Sequence, residues 1–264
     1  MLASTFIHAQ GIGYSTERRI WDAGALTWEQ FLAQHHDLKL SPAKKALLLP
    51  RVEESVARLA GKDYAYFAEV LPKKDHWRAL SEFGDAVCYL DIETTGCNWD
   101  DSITVIGMYD GLEMKQFVQG INMDQFPSEI ARCRTLVTFS GSSFDVPFIR
   151  RAFPGLRLDQ LHVDLCHLLR RVGLTGGLKR IEEKLGVRRI PETEGLSGFD
   201  AVRLWHQYRR GSREALELLL LYNREDVLNM EALLRHGCSE LLRGLDHPLY
   251  GSAWEFPGLA HSAF

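Results

Sequence analysis

Asp91 and Glu93 stand at the end of an apolar run, Ala86–Ile92, that has the length and composition of a β-strand. Side chains two residues apart on a strand share a face, so the two carboxylates point the same way. Neighbouring carboxylates repel each other and lose solvation, and a divalent cation between them removes both penalties. Oxygen donors of this type suit Mg²⁺ or Mn²⁺. The alternative is a pair of solvated charges at a strand end.

A further acid, Asp145, lies among the apolar residues Phe144, Val146 and Phe148, just after the turn 140–143, which is made of Gly and Ser. Its position in an apolar setting makes it a candidate to join the same site. The alternative is a cap for the helix that begins near Pro147, because Asp is a common residue at a helix start.

Tyr222 and Asp226 are four residues apart on a long predicted helix, from about Ser212 to Arg235, and therefore share one face. That face is otherwise apolar, and a buried carboxylate needs a partner. A phenol one turn away can hydrogen-bond a water that a metal holds. The alternative is a surface tyrosine and an aspartate paired with Lys or Arg.

Basic residues are concentrated between positions 170 and 189, where only Glu182 and Glu183 oppose them. They are Arg170, Arg171, Lys179, Arg180, Lys184, Arg188 and Arg189. Such charges bind backbone phosphates, and a helix N-terminus near Lys179 adds backbone N–H groups. The alternative is a solvated helix face.

Two further sets of polar residues have mainly structural interpretations. Asp164 either supports the site or caps a helix that starts at Leu165. His162, His167 and His206 lack metal-ligand spacing, so we expect structural roles for them.

The elements that must position these residues follow a simple order along the chain. Predicted strands cover Ala86–Ile92, Ser102–Tyr109, Met114–Val118, Thr135–Phe139 and Leu161–Asp164. Helices are predicted after the third strand, at about Met123–Cys133, and after each of the two strands that follow. A three-strand meander followed by alternating helices and strands predicts an α/β fold with a mixed five-stranded sheet flanked by helices.

Three regions divide the chain in this prediction. Residues 1–84 form a mainly helical N-terminal extension, with N-caps at Thr27 and Ser41 and a helix from about Pro50 to Ala60. Residues 85–236 hold the sheet and the candidate site. Residues 237–264 are expected to be a tail packed on the surface.

The composition of the 264 residues, 45% hydrophobic and 25% charged, is that of a globular protein. The longest purely apolar run, Leu218–Leu221, is too short to span a membrane, and residues 1–5 do not resemble a secretory signal. Five cysteines without CxxC spacing favour a reduced, cytoplasmic protein. The net charge of −4 alone argues mildly against nucleic acid, yet without the four candidate site acids the chain has 31 acidic and 31 basic residues.

The order of these motifs resembles the DEDD superfamily of 3′–5′ exonucleases in its tyrosine subclass, which has a ribonuclease H-like fold. Those motifs are a strand-end D-x-E, then Phe144-Asp145, then Y-x-x-x-D on a late helix. Residues 144–148 look like the second exonuclease motif of family-B DNA polymerases, and the closest resemblance is to the predicted exonucleases of the YprB-like family. The resemblance covers roughly Ala86 to Leu234, and the phrases at 11–13, 16–17 and 20–21 look like that family's leader. The histidine subclass places His where this chain has Leu221.

The resemblance implies a site for two divalent ions, Mg²⁺ or Mn²⁺. Asp91, Glu93 and Asp226 would be its ligands, Asp145 would complete it partly through water, and Tyr222 would orient the attacking water. It further implies a substrate of DNA or RNA with a free 3′ end, hydrolysed to nucleoside 5′-monophosphates by a two-metal-ion mechanism. Thr94, Lys179 and Arg180 are the candidate contacts to nucleic acid. The second motif commonly has Asn where this chain has Ser140 and Gly141.

Two other functions fit the same residues. One is a structure-specific endonuclease on the same fold, and the other is a catalytically weak nucleic-acid-binding module. The tyrosine on the last helix favours the exonuclease over the first, and the intact carboxylate set argues against the second. DNA and RNA, and single and double strands, remain equal alternatives at this stage.

Overall fold

A mixed five-stranded sheet lies at the centre of the computed structural model, which describes residues 1–98 and 100–250. The strand order is β3-β2-β1-β4-β5. The strands are β1 (Val87–Thr94), β2 (Ile103–Tyr109), β3 (Met114–Val118), β4 (Thr135–Thr138) and β5 (Leu161–Asp164). β1 pairs antiparallel with β2, and β2 pairs antiparallel with β3, whereas β4 is parallel to β1 and β5 is parallel to β4. This sheet confirms the predicted fold class.

The N-terminal 86 residues are helical, as predicted for residues 1–84. Their helices are α1 (Tyr14–Asp22), α2 (Trp28–Gln34), α3 (Pro42–Ala60), α4 (Tyr64–Val70) and α5 (Leu80–Phe83), with 3₁₀ segments at Leu2–Ser4, Lys73–Ala79 and Gly84–Ala86. Thr27 and Ser41 cap α2 and α3 through their side chains, as predicted. Their tryptophans are buried: Trp28 and Trp77 are each about 1% exposed.

The sheet domain contributes six further helices. They are α6 (Phe126–Ile130), α7 (Asp145–Ala152), α8 (Leu165–Arg170), α9 (Leu178–Leu185), α10 (Gly198–Arg209) and α11 (Arg213–Leu245). One face of the sheet, with Leu90 and Ile92, packs on α6 and α7, and the other, with Tyr89 and Val137, packs on α8 and α11. Helices therefore cover both faces, and the site must form at an edge or an end of the sheet. Within the described ranges, no helix combines the length and the apolar character that a membrane crossing requires.

Three predicted helix boundaries are wrong. The helix predicted at about Met123–Cys133 is shorter, because α6 covers Phe126–Ile130 after a 3₁₀ segment at Met123–Gln125. α3 is a single helix from Pro42 with Pro50 inside it, because its buried side, Leu48 and Val52, continues across the proline. α11 continues past Arg235 to Leu245 and so crosses the predicted boundary between residues 236 and 237.

Gly237 lies inside α11, just past the helix end that the sequence suggested. A Cβ at Gly237 would come within 2.2 Å of Leu168 Cδ2, so the glycine permits close packing of α11 against α8. Beyond it, Cys238 and Leu242 continue the buried face of α11. The predicted tail is thus helical up to Leu245, and its residues 251–264 lie outside the described part of the chain.

Candidate metal centre

Three acids that are far apart in sequence meet where β1 faces α11. Asp91 and Glu93 lie on β1 and Asp226 lies on α11, and one carboxylate oxygen from each lies within 4.8 Å of the others. Glu93 and Asp226 are each about 7% exposed. The alternation of side chains on β1 turns both of its acids toward α11, as the spacing predicts.

Gly107 allows the helix to come this close to the sheet. It pairs with Asp91 in the antiparallel register of β1 and β2. A Cβ at Gly107 would lie 2.2 Å from Asn223 Oδ1 and 2.9 Å from Val227 Cγ2, both on α11. Any larger residue would therefore push α11, and Asp226 with it, away from β1. A glycine inside a strand is a sequence signal of such an approach, and sequence reasoning missed it here.

Asn223 is a second residue that sequence reasoning missed. It is fully buried, and its Nδ2 donates to Asp91 Oδ2 at 3.1 Å while its Oδ1 accepts from Gln116 Nε2 at 3.1 Å. The amide of Asn223 therefore fixes one oxygen of Asp91 and is itself fixed from β3. The available signal was a polar residue three positions before Asp226, on the same helix face.

Asp145 adjoins the cluster through the backbone of β1. The register of β4 on β1 stops at Tyr89, so Ile92 has no strand partner on that side. Asp145 Oδ1 accepts the Ile92 N–H at 3.2 Å in its place. The side chain is 3% exposed, and its charge acts on both Asp91 and Glu93. Asp145 is also the first residue of α7, with Phe144 at the N-cap position.

Burial raises the pKa of each carboxyl in this group. The pKa values of Asp91 and Glu93 lie well above their usual range because both groups are desolvated and the neighbouring acids repel them. Desolvation also raises the pKa of Asp145 to about 7. Burial raises the pKa of Asp226 as well, although Arg189 opposes the shift. Without a cation, ionisation of all the carboxyls in this group is therefore unfavourable.

The donors present fit a hard divalent cation. Glu93 Oε1 is buried and, among the described residues, has no hydrogen-bond partner. Leaving a buried carboxylate oxygen without a hydrogen-bond partner costs free energy of folding. A bound metal ion would supply the missing partner. Three carboxylates and no Cys or His make an all-oxygen ligand set, which suits Mg²⁺ or Mn²⁺ better than Zn²⁺.

Tyr222 lies one turn before Asp226 and is held by Lys179. Lys179 Nζ donates to the Tyr222 hydroxyl at 3.0 Å and also lies 4.3 Å from the centroid of its ring. Lys179 additionally contacts the backbone carbonyl of Leu196. Burial, followed by the charges of Asp226, Glu93 and Asp91, raises the pKa of Tyr222. Burial lowers the pKa of Lys179, because desolvation disfavours the ammonium.

The side chain of Arg189 is largely buried and does not fit the alternative interpretation of the basic residues 170–189 as a solvated helix face. Its guanidinium is 7% exposed and contacts Asp226 Oδ1. The same guanidinium donates to both oxygens of Glu182, at 2.7 and 2.8 Å, and Asn229 also donates to Glu182. The interpretation of Asp226 as an acid paired with an arginine is thus correct in part. The pair is buried beside the cluster instead of lying on the surface.

The three residues predicted to contact nucleic acid occupy different settings. Lys179 is part of the site, as described. Arg180 follows it and is exposed on the first turn of α9. The Thr94 hydroxyl donates to the carbonyl of Gly96 at 2.6 Å, and the side chain is largely buried. Contact of these residues with nucleic acid remains a prediction.

Asp164 has a structural role, which was one of the two interpretations of this residue. Its carboxylate accepts the backbone N–H of Cys166 and so caps α8. It also accepts the backbone N–H groups of Ser140 and Ser142, which fixes the turn that leads to Asp145. Ser140 has a left-handed backbone with φ of 62°, so this turn depends on such side-chain support. Asp164 therefore positions Asp145 indirectly.

The comparison with protein-family models agrees with this fold. The family model of the RNase H superfamily matches residues 88–237, more than half of the chain. A solved family B DNA polymerase from the hyperthermophilic archaeon Pyrobaculum calidifontis is similar over 59% of this chain and 24% of its own, with 18% identity and a TM-score of 0.44. No curated protein matches the chain in sequence. On the strength of the matched span, the chain belongs to the RNase H superfamily.

Proposed function

We propose that this protein is a metal-dependent 3′–5′ exonuclease of the DEDD superfamily, in the tyrosine subclass and the YprB-like family. The observation that carries the proposal is the meeting of Asp91, Glu93 and Asp226 within 4.8 Å, one helical turn from Tyr222. Those three carboxylates would hold two divalent ions, with Asp145 completing the set. When bound, such ions activate a water and stabilise the leaving 3′ oxygen of a phosphodiester.

The remaining residues have roles that follow from their hydrogen bonds. Asn223 holds one oxygen of Asp91, so the other is free to face a ligand. Lys179 donates to the oxygen of Tyr222, so the Tyr222 O–H is left to donate. The raised pKa keeps that phenol protonated at neutral pH. Tyr222 is therefore placed to orient a water or a phosphate oxygen beside the carboxylates.

The proposal is tested with the purified full chain and end-labelled oligonucleotides of DNA and of RNA. With Mg²⁺ or Mn²⁺, we expect stepwise shortening of 5′-labelled strands and release of nucleoside 5′-monophosphates. EDTA should stop the reaction. When the strand is labelled at its 3′ end, the label should appear in mononucleotide from the start of the reaction, since the 3′ nucleotide is removed first.

A closed circular single strand separates this proposal from the endonuclease alternative. An exonuclease needs an end, so the circle should survive while its linear form is degraded. Cleavage of the circle would contradict the exonuclease assignment and leave the metal-dependent nuclease in place. Activity that persists in EDTA, or in Asp91→Asn, would overturn the whole proposal. A catalytically weak binding module would degrade neither the circular nor the linear strand.

A further inference from the structure

A cavity of about 550 Å³ lies between the N-terminal extension and the sheet domain, away from the carboxylate cluster. α3, α4 and the segment Lys73–Ala79 form one wall, and α7 and the residues leading into β5 form the other. Small-molecule sites commonly have volumes of roughly 300–1,000 Å³, so the cavity has the size for one ligand.

The two walls are fastened to each other. His76 Nδ1 accepts the backbone N–H of His162 on β5 at 2.9 Å. Next to it, Asp75 forms an ion pair with Arg171 of the sheet domain at 3.4 Å. The His162 ring is bonded in turn to the Thr138 hydroxyl at 2.8 Å. These contacts fix the two walls of the cavity relative to each other.

The charges of the lining leave cations available for an anion. Arg58 is paired with Asp63, and Arg157 is paired with Asp159, each at 2.9 Å. Lys73 and Arg150 are exposed, and neither has an ion-pair or hydrogen-bond partner among the described residues. Glu69 is also without such a partner, so two cations face one acid. A phosphate between cations is the anion that such a pair binds best.

The rest of the lining suits a flat, partly apolar group. Leu136, Val146 and Leu158 contribute apolar surface, and the exposed guanidinium of Arg157 at the rim can stack on a ring. Lys73, Ser142 and His162 also line an adjoining cavity of about 280 Å³, which Lys74 helps to form. A lone phosphate would leave most of this space empty.

We propose that this cavity binds a nucleotide, with Lys73 and Arg150 holding the phosphate and the apolar residues facing the base. The nucleotide is either a free 5′-monophosphate or one unit of a bound strand, since the two share this chemistry. α7 joins the cavity to the candidate metal centre, because it begins at Asp145 and carries Val146 and Arg150 into the lining. The N-terminal extension then contributes half of a second nucleotide site.

The test is calorimetric titration of the full chain in EDTA, where binding is measured without hydrolysis. The probes are the four nucleoside 5′-monophosphates, a short single-stranded oligonucleotide, inorganic phosphate and uncharged nucleosides. Lys73→Ala and Arg150→Ala should each weaken binding about tenfold, the effect of losing about 1.4 kcal/mol from a charge-assisted contact. Ala65→Trp, which fills the cavity without a change of charge, should abolish binding. Arg209→Ala removes an exposed arginine on α10 and serves as the control.

The arms separate the two sources of the nucleotide. Binding of monophosphates indicates a site for free nucleotide, and binding of the oligonucleotide alone indicates a strand contact. Either result supports the proposal if the three cavity variants weaken it and Arg209→Ala does not. Equal affinity for inorganic phosphate and monophosphates would overturn it, as would full affinity in all three variants or no binding of either nucleotide probe. Because no metal is present, these outcomes are independent of the nuclease proposal.

Discussion

Two groups of buried acids in this protein are compensated in opposite ways. In the N-terminal extension, Glu17 and Asp75 are 1% and 0% exposed, and Arg78 contacts both of them. Arg78 reaches both oxygens of Glu17 at 3.0 and 2.9 Å, and Arg171 adds a second cation at Asp75. Two acids thus have two arginines.

The candidate metal centre has no such balance. Asp91, Glu93, Asp145 and Asp226 have Arg189 and Lys179 beside them, and Arg189 is shared with Glu182. A folded chain that leaves buried acids short of cations loses stability unless a cation from solution completes the group. The difference indicates that the first group holds the fold together, and it supports the proposal that the second receives a cation.

The largest expected effect is on activity. Asp91→Asn or Asp226→Asn should lower metal-dependent hydrolysis by at least about 10³-fold, or roughly 4 kcal/mol of transition-state stabilisation, because an amide is a poor ligand for the cation. Asp91→Asn should unfold at an unchanged or higher temperature in EDTA, since it relieves repulsion, whereas Asp226→Asn should lose stability because it weakens the buried pair with Arg189. Activity assays and thermal denaturation measure both. A variant that keeps its activity would remove the centre from the mechanism.

Arg78→Met should cause the largest loss of stability. It leaves Glu17 and Asp75 buried beside an apolar side chain, which costs about 3–5 kcal/mol when one partner of a buried pair is removed. Denaturant unfolding measures the loss, with the exposed Arg132→Ala as the matched control. Addition of Mn²⁺ should not restore the stability. A metal-dependent recovery would contradict the distinction between the two groups.

Arg189→Met should give a smaller loss that a metal does reduce. Without Arg189, Asp226 and Glu182 lose a buried cation, and we expect about 3 kcal/mol less stability in EDTA. Mn²⁺ should recover part of this loss, because it compensates Asp226 directly. Unfolding with and without Mn²⁺ measures the recovery. If Mn²⁺ stabilises the variant no more than the parent chain, Arg189 and the metal ion do not both compensate the charge of Asp226.

The pH dependence of stability should change sign when metal is added. The folded pKa of Asp145, about 7, lies above its unfolded value, so the folded protein holds more protons than the unfolded chain between about pH 4 and 7. In EDTA, this contribution to stability is fully present below about pH 4 and is lost as the pH rises through 7. With Mn²⁺, protons compete with the cation, and stability should instead rise over that range. Melting temperatures across the range, with Asp145→Asn as the control, measure both trends.

Tyr222→Phe should have the smallest effect. It removes the hydroxyl that is proposed to donate to a water or phosphate oxygen, and we expect a loss of roughly 10–100-fold in turnover, consistent with loss of one positioning contact. Metal affinity, measured by calorimetry, should stay unchanged because no ligand is removed. A change in metal affinity would instead place the phenol among the groups that hold the cation.

Local patterns in the sequence were enough to identify much of this architecture. All five strands lie where alternation and turn residues placed them, and β3 and β5 match to the residue. These patterns depend on neighbours along the chain, and in this protein the packing of the sheet preserves them. Helix ends were predicted less well: α11 passes its predicted end at Arg235 because Cys238 and Leu242 continue its buried face. Only the packed structure shows that this face continues.

The acids themselves could be chosen from the sequence, but their compensation could not. Strand alternation put Asp91 and Glu93 on one face, and a helical turn put Tyr222 beside Asp226, because both spacings are properties of regular backbone. The partners Asn223, Gly107 and Arg189 come from separate elements, and only the docking of those elements brings them to the acids. Charge in a folded protein is balanced across space, so the sequence determined the identity and order of the site residues. The tertiary structure decided which group of buried acids is matched by arginines and which has more acids than cations beside it.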